Sequence, residues 1–226
     1  AATEGTTLAY TENGAATAIT ATITASDADN TNLSIATIQI ATNYQNGQDV
    51  LSFTNTANIT GSWNATNGTL TLSGTDTVAN YQAALRAVKY QNTSDSPSGA
   101  TRTVSFKVSD GAADSNVLTR DIAVTPVNDS PVIAAIEGST LSYTENGAAT
   151  AITSTITESD VDKTNLAGAT IQITGNYQSG GDVLSFTNTA NIAGSWNATN
   201  GTLTLSGSDT VANAIHERKV VPTTES

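Results

Sequence analysis

Apolar residues recur at every second position in short runs along the first 125 residues. Ala36, Ile38 and Ile40 alternate with Thr37 and Gln39, and Val104, Phe106 and Val108 alternate with Ser105 and Lys107. A period of two puts such residues on one face of an extended strand. Strands are predicted over 16–24 (through Ile19 and Ile23), 36–40, 50–53, 69–72, 88–90, 103–108 and 117–124. Asn, Asp and Gly fill the segments between them, the pattern of a β-sandwich with seven or more strands. Trp63-Asn64-Ala65-Thr66-Asn67-Gly68 has the composition of a hairpin turn, with Gly68 free to take positive φ. One helix is predicted between Thr77 and Val88, where Val78, Tyr81 and Leu85 share a face and Asp76 or Thr77 is placed to cap it.

The pattern then returns at an offset of 133 residues. Leu8-Ala9-Tyr10-Thr11-Glu12-Asn13-Gly14 reappears as Leu141-Ser142-Tyr143-Thr144-Glu145-Asn146-Gly147. From Ala1/Ala134 to Asn80/Asn213 the copies align without a gap and are identical at 65 of 80 positions. A solenoid repeat spans only about 20–50 residues, so this period is that of a whole domain. The expected division is a first unit over 1–128, an Asn-Asp-x-Pro linker over 129–133, an incomplete second unit over 134–213 and a tail over 214–226 that departs from the repeat. The sequence leaves the repeat at Ala214-Ile215-His216, so unit two lacks the counterparts of the last strands of unit one. Exposed sheet edges of this kind invite pairing with another chain, and strand exchange or a dimer through the incomplete unit is expected, aided by the identity of the copies. A substitute strand from the tail around Lys219 to Thr223 is the other way to cover such an edge.

Composition narrows the partners. The 226 residues include 41 Thr, carry a net charge of −12 and contain only 8 Lys and Arg, none before Arg86. Nucleic-acid binding is excluded, since it requires cations to neutralise phosphates. No run approaches the roughly 20 apolar residues of a membrane span, so no membrane insertion is expected. The absence of Cys excludes disulfides, thiolate zinc sites and a cysteine nucleophile. The chain begins at Ala1 and not at Met; it is expected to be a fragment or a processed form, so a missing signal peptide carries no information.

Carboxylates supply the candidate chemistry. Ser26-Asp27-Ala28-Asp29 recurs as Ser159-Asp160-Val161-Asp162, each directly after a predicted strand. Asp-x-Asp in extended backbone puts both side chains on one face, able to share a cation, but calcium takes six to eight oxygens. An EF-hand loop does not fit, because Asn32 stands where the loop needs Gly and Ile38 where it needs Glu. Following the strands up and down a sandwich places Asp27, Asp29 and Asp110 at one end of unit one, and Glu12, Asn128 and Asp129 at the other. Asp160 and Asp162 of unit two are expected to face that second set.

This order of motifs resembles the cadherin domain, above all the cadherin-like repeats of large bacterial surface proteins and adhesins. The matching residues are Glu12-Asn13, Asp27-x-Asp29, Asp110-Gly111 and Asn128-Asp129-Ser130-Pro131. They cover unit one, and the first 80 residues of unit two repeat the pattern. The resemblance implies an all-β, Ig/cadherin-like Greek-key β-sandwich, here a tandem repeat with a truncated second copy. It also implies Ca2+ held between successive domains, by Glu12, Asn128, Asp129, Asp160 and Asp162 at the junction. Asp27, Asp29 and Asp110 would form a half-site whose linker partner precedes Ala1. The family's mid-domain Asp-Arg-Glu motif has no clear copy; Asp76 is the nearest candidate.

The function this implies is a non-enzymatic, calcium-stiffened spacer or adhesion module of a long secreted or cell-surface protein, extracellular in location. Its partners would be neighbouring repeat units of the same protein, with a polysaccharide or a surface receptor as further candidates. The alternative is a carbohydrate-binding β-sandwich module using Trp63 and Trp196 with Tyr44 and Tyr177; against it, Ile59, Gly61 and Trp63 alternate onto one strand face, which makes Trp63 a core residue. A hydrolase would need a base, and the repeat contains no His.

Overall fold

The computed structural model describes residues 3–144 and 147–211, and the chain divides into two compact units between Asn128 and Asp129. Unit one contains β1 (Leu8–Thr11), β2 (Thr17–Ala18), β3 (Asn32–Thr42), β4 (Asp49–Ser52), β5 (Thr60–Asn64), β6 (Thr69–Thr77), α1 (Val78–Ala87), β7 (Lys89–Asn92), β8 (Arg102–Ser109) and β9 (Leu118–Thr125). Six strands form one sheet in the order β1-β9-β8-β3-β6-β5, and β2-β7-β4 form a second. The first strand joins β9 in parallel, whereas the remaining pairings are antiparallel.

The alternation in the sequence explains how the sheets meet. Ala36, Ile38 and Ile40 of β3 point inward, as do Val104 and Phe106 of β8 and Leu70 and Leu72 of β6. They pack with Leu51 and Tyr90 of the smaller sheet in one core. Burying a side chain of this size stabilises by roughly 1.5–3 kcal/mol, so the shared face fixes the strand registers. The predicted helix is present as α1, and Thr77 is its N-cap, its hydroxyl accepting a hydrogen bond from the Asn80 amide. Tyr81, Ala84 and Leu85 bury its inner face. Between β5 and β6, Gly68 takes φ +66°, and a Cβ there would come within 2.9 Å of the Tyr44 ring.

The segment 16–24 departs from the expected strand. Only Thr17 and Ala18 pair in a sheet, although Ile19 and Ile23 are buried. Ile19 still donates its amide to the Val88 carbonyl at 3.1 Å, and beyond it side chains take the place of a neighbouring strand. Glu4 accepts from the Ala21 and Thr22 amides, Gln82 accepts from the Ala25 amide, and Arg86 and Arg120 donate to the carbonyls of Ile23 and Ile19. The alternation therefore reports burial here without a ladder.

Unit two contains β10 (Val132–Ala134), β11 (Thr157–Ser159), β12 (Asn165–Gln172), β13 (Ile192–Asn197) and β14 (Thr202–Thr210). Its sheet β12-β14-β13 copies β3-β6-β5, register included: Ile171 opposes Leu203 as Ile38 opposes Leu70. A separate pair, β10-β11, places Val132 and Ile133, inside the span read as linker, in a strand. Residues 182–185 match β4 in sequence but form no strand. In unit one β4 depends on β7, whose sequence the second copy does not carry. The buried apolar cluster is correspondingly small: Leu184, Ile192, Leu203 and Leu205. The tail 214–226, with the substitute strand expected around Lys219, lies outside the described residues. No helix among the described residues is long and apolar enough to cross a membrane.

Candidate functional site

Glu12 directly follows β1. The parallel pairing with β9 continues through it, since its amide donates to the Thr125 carbonyl at 3.0 Å. Asn13, at φ +57°, reverses the chain, and the Gly14 amide closes the turn on the Thr11 carbonyl at 2.9 Å. This geometry folds the Glu12 side chain inward, leaving it 6% exposed. Its Oε2 accepts from the Val127 amide at 2.8 Å, whereas Oε1 is buried and accepts no hydrogen bond. A buried carboxylate oxygen without a donor is costly, and the usual compensation is a proton or a cation. Asn128, on the same stretch of chain, is exposed.

The opposite acidic set of unit one is assembled by two turns. Asp27 Oδ1 accepts from the amides of Asn30 at 2.9 Å and Asp29 at 3.2 Å, and these bonds hold its carboxyl below the usual range. Asp110 Oδ1 accepts from the Ala113 amide at 2.7 Å and the Ala112 amide at 2.8 Å, which lower its pKa against the opposing charge of Asp27. The Asn30 side-chain amide donates to Asp110 Oδ2 at 2.7 Å and ties the two turns together. Asp27, Asp29 and Asp110 thus lie in one neighbourhood.

Unit two repeats the first of these turns. Asp160 Oδ1 accepts from the amides of Asp162 and Lys163, both at 2.9 Å. Lys163 stands at the place of Asn30, so a cation replaces the bridging amide. Asp162 Oδ2 accepts from the Asp129 amide at 2.5 Å, which brings Asp129, Asp160 and Asp162 together within unit two. Among the described residues no three acidic side chains stand in ready metal-holding geometry. A shared ion therefore requires these side chains to turn toward it. Within unit two their oxygens are the hard donors calcium takes; within unit one, taken by itself, Glu12 Oε1 accepts no hydrogen bond.

Asp76 belongs to neither set. Its carboxylate accepts from the Asn80 side chain at 2.7 Å and from the Thr77 amide at 2.8 Å, and these bonds lower its pKa. It anchors the start of α1.

Two ionic arrangements were not anticipated from sequence. Asp49 is buried with Arg102, whose Nε lies 3.2 Å from Asp49 Oδ2, and also accepts from Tyr90 Oη at 2.6 Å and Asn92 Nδ2 at 2.7 Å. Glu4 holds the segment after β2 and lies 3.4 Å from Arg120. Both arginines sit on the inward parity of their strands, in Arg102-x-Val104-x-Phe106 and Arg120-x-Ile122-x-Val124. That parity was the available signal.

The aromatic residues serve the fold. Tyr44 and Trp63 meet edge to face at 6.1 Å, Tyr177 and Trp196 do the same, and each Tyr hydroxyl donates to a hairpin carbonyl, that of Ala65 or Ala198. Trp63 packs half-buried against the core.

No protein-family model matches the chain, and no curated protein matches it. A solved structure named BspA_C_WT is similar at 9% identity and a TM-score of 0.24, over 83% of this chain and 72% of that one. So slight a likeness carries no argument about function.

Proposed function

We propose that this chain is a non-enzymatic spacer or adhesion module of a long secreted or cell-surface repeat protein, and that calcium stiffens it. The observation that carries the reading is Glu12: a carboxylate buried beside the last residues of unit one, with one oxygen bonded to the Val127 amide and the other without a donor. A divalent cation bound at Glu12 would satisfy that oxygen, and separate cations at Asp129–Asp160–Asp162 in unit two or at Asp27–Asp29–Asp110 in unit one would relieve the repulsion within each set. Two like charges at 4 Å repel by about 1 kcal/mol even in bulk water. The whole-domain repeat supports an array, in which spacing and stiffness are the useful properties.

Calorimetric titration with calcium tests this reading. Wild type should bind in the range from micromolar to millimolar, and Glu12→Gln, which keeps the shape but removes the charge, should bind with a clearly smaller heat. Absence of any calcium-dependent heat in the wild type would contradict the metal role and leave at most a metal-free spacer.

A further inference from the structure

In unit two β12 pairs with β14 along one edge, and among the described residues no strand pairs with its other edge. The same edge of β3 in unit one is taken by β8, in a register running from Ile35↔Ser109 to Thr42↔Thr103. Unit two carries a groove of about 280 Å3 lined by Ile133, Ile136, Ile152, Ile156, Ile171 and Leu203. The last four are the repeat counterparts of Ile19, Ile23, Ile38 and Leu70, each buried in unit one. In unit two Ile152 is 42% exposed, and Ile133 and Ile136 are 61% and 66% exposed.

Two carboxylates indicate what covers this groove. Glu137 is the counterpart of Glu4 and makes the same bonds through Oε1, to the amides of Ser154 and Thr155. Its Oε2 is buried; the Thr153 hydroxyl, the counterpart of Thr20, stands by the carboxyl and helps hold its pKa down, but among the described residues no cation faces it. The matching oxygen of Glu4 accepts from Thr20 at 2.7 Å and faces Arg120. Asp182, the counterpart of Asp49, keeps the backbone bond from Gln178 at 2.8 Å. The partners of Asp49 on β7 and β8 belong to a part of the repeat that the sequence leaves at Ala214. The two matching cations, Arg102 and Arg120, lie on one antiparallel hairpin, β8–β9. That hairpin also carries Val104, Phe106, Ile122 and Val124, the apolar side chains that cover the equivalent residues of unit one.

We propose that unit two is an acceptor for the β8–β9 hairpin of a second copy of this chain. The hairpin adds β8 to the open edge of β12, lays its apolar face over the isoleucine groove, and brings arginines to Glu137 and Asp182. The contacts that β8 makes with β3 can be remade along β12 and the residue after it, which keep Ala169, Ile171 and Ile173 at the places of the inward Ala36, Ile38 and Ile40; such shared sequence is the condition for exchange between copies. The inference stands on the repeat and the groove, independently of calcium.

A synthetic peptide covering residues 100–126 is the direct probe, added to the full chain without calcium and followed by binding and by amide exchange. One peptide should bind per chain, and exchange should slow across residues 165–172. A peptide with both Arg102→Ala and Arg120→Ala should bind at least about tenfold more weakly, equivalent to about 1.4 kcal/mol. A peptide with Arg120→Ala alone should also bind the wild-type chain more weakly than the unmodified peptide. In a chain carrying Glu137→Gln, that difference between the two peptides should vanish. The chain alone should form a dimer that grows with concentration and that the peptide dissolves. No binding, equal binding of the double-variant peptide, protection confined to unit one, or a chain that stays monomeric at its highest soluble concentration would each overturn the proposal.

Discussion

Arg102 Nε lies 3.2 Å from Asp49 Oδ2, and neither side chain is exposed to solvent. The pair joins β8 of the large sheet to β4 of the small one, so it links the two layers of the sandwich. Asp49 is satisfied by four donors, from Gln45, Tyr90, Asn92 and Arg102. Arg102 in turn donates to the carbonyls of Ser98 and Ala100, while its Nη2 has no hydrogen-bond partner. Burial and the hydrogen bond to Asp49 push the Tyr90 hydroxyl well above its usual pKa.

Removing one member of such a pair strands the other charge in the core. Arg102→Met or Asp49→Ala is expected to cost about 3–5 kcal/mol, whereas replacing both by apolar residues should cost clearly less than the sum. Urea unfolding of the single and double variants checks this. Additive costs would show that the two residues act separately.

Glu4 provides the pH dependence. Burial opposes its ionisation, but the Thr20 hydroxyl, the Ala21 amide and the Arg120 charge lower its pKa from 4.5 to about 2. A depressed folded-state pKa stabilises above the unfolded value and loses that stability as pH falls. The contribution of Glu4 should therefore be complete above about pH 4.5 and fade toward pH 2. Asp27 and Asp110, also lowered, act in the same direction. Urea midpoints measured across this range should fall less steeply for Glu4→Gln than for wild type, with the two curves converging in acid. Parallel curves would remove Glu4 from the acid response.

Gly74, at φ +127°, separates two effects of a glycine. An added Cβ would lie 1.9 Å from the Asn58 carbonyl oxygen, a backbone atom that cannot move aside cheaply. Gly47, at φ +83°, has nothing within 4 Å of such a Cβ. Gly47→Ala should cost about 1 kcal/mol from backbone conformation alone. Gly74→Ala should cost several times that, or prevent folding. Thermal melting of both variants distinguishes them, and similar losses would contradict the steric account.

Much of this arrangement was legible in the sequence because it obeys a period of two. The inward parity of Ala36, Ile38 and Ile40, and of Val104 and Phe106, predicted β3 and β8, and the spacing of Tyr81 and Leu85 after Thr77 predicted α1. Parity also marked Arg102 and Arg120 as inward, but a charge at an inward position declares itself only when its partner is known. Asp49 and Glu4 are 53 and 116 residues away, a pairing that no local pattern encodes. The segment 16–24 misled for a related reason: Ile19 and Ile23 are buried as expected, yet side chains distant in sequence satisfy its backbone. For the carboxylates, motif order placed Asp27 and Asp110 at one end of unit one. The burial of Glu12 depended on the parallel pairing of β1 with β9, which sequence does not specify.

Amide exchange at Val127 and Asp129, with and without calcium, tests the stiffening claim most directly. The Val127 amide donates to Glu12 and the Asp129 amide to Asp162, so both report on carboxylates assigned to the ion. Calcium should slow exchange at both positions in the wild type, and this slowing should be lost in Glu12→Gln at Val127 and in Asp160→Ala/Asp162→Ala at Asp129. Exchange rates unchanged by millimolar calcium in the wild type would contradict the account, leaving Glu12 as a buried clasp for the Val127 amide and Asp162 as an acceptor for the Asp129 amide.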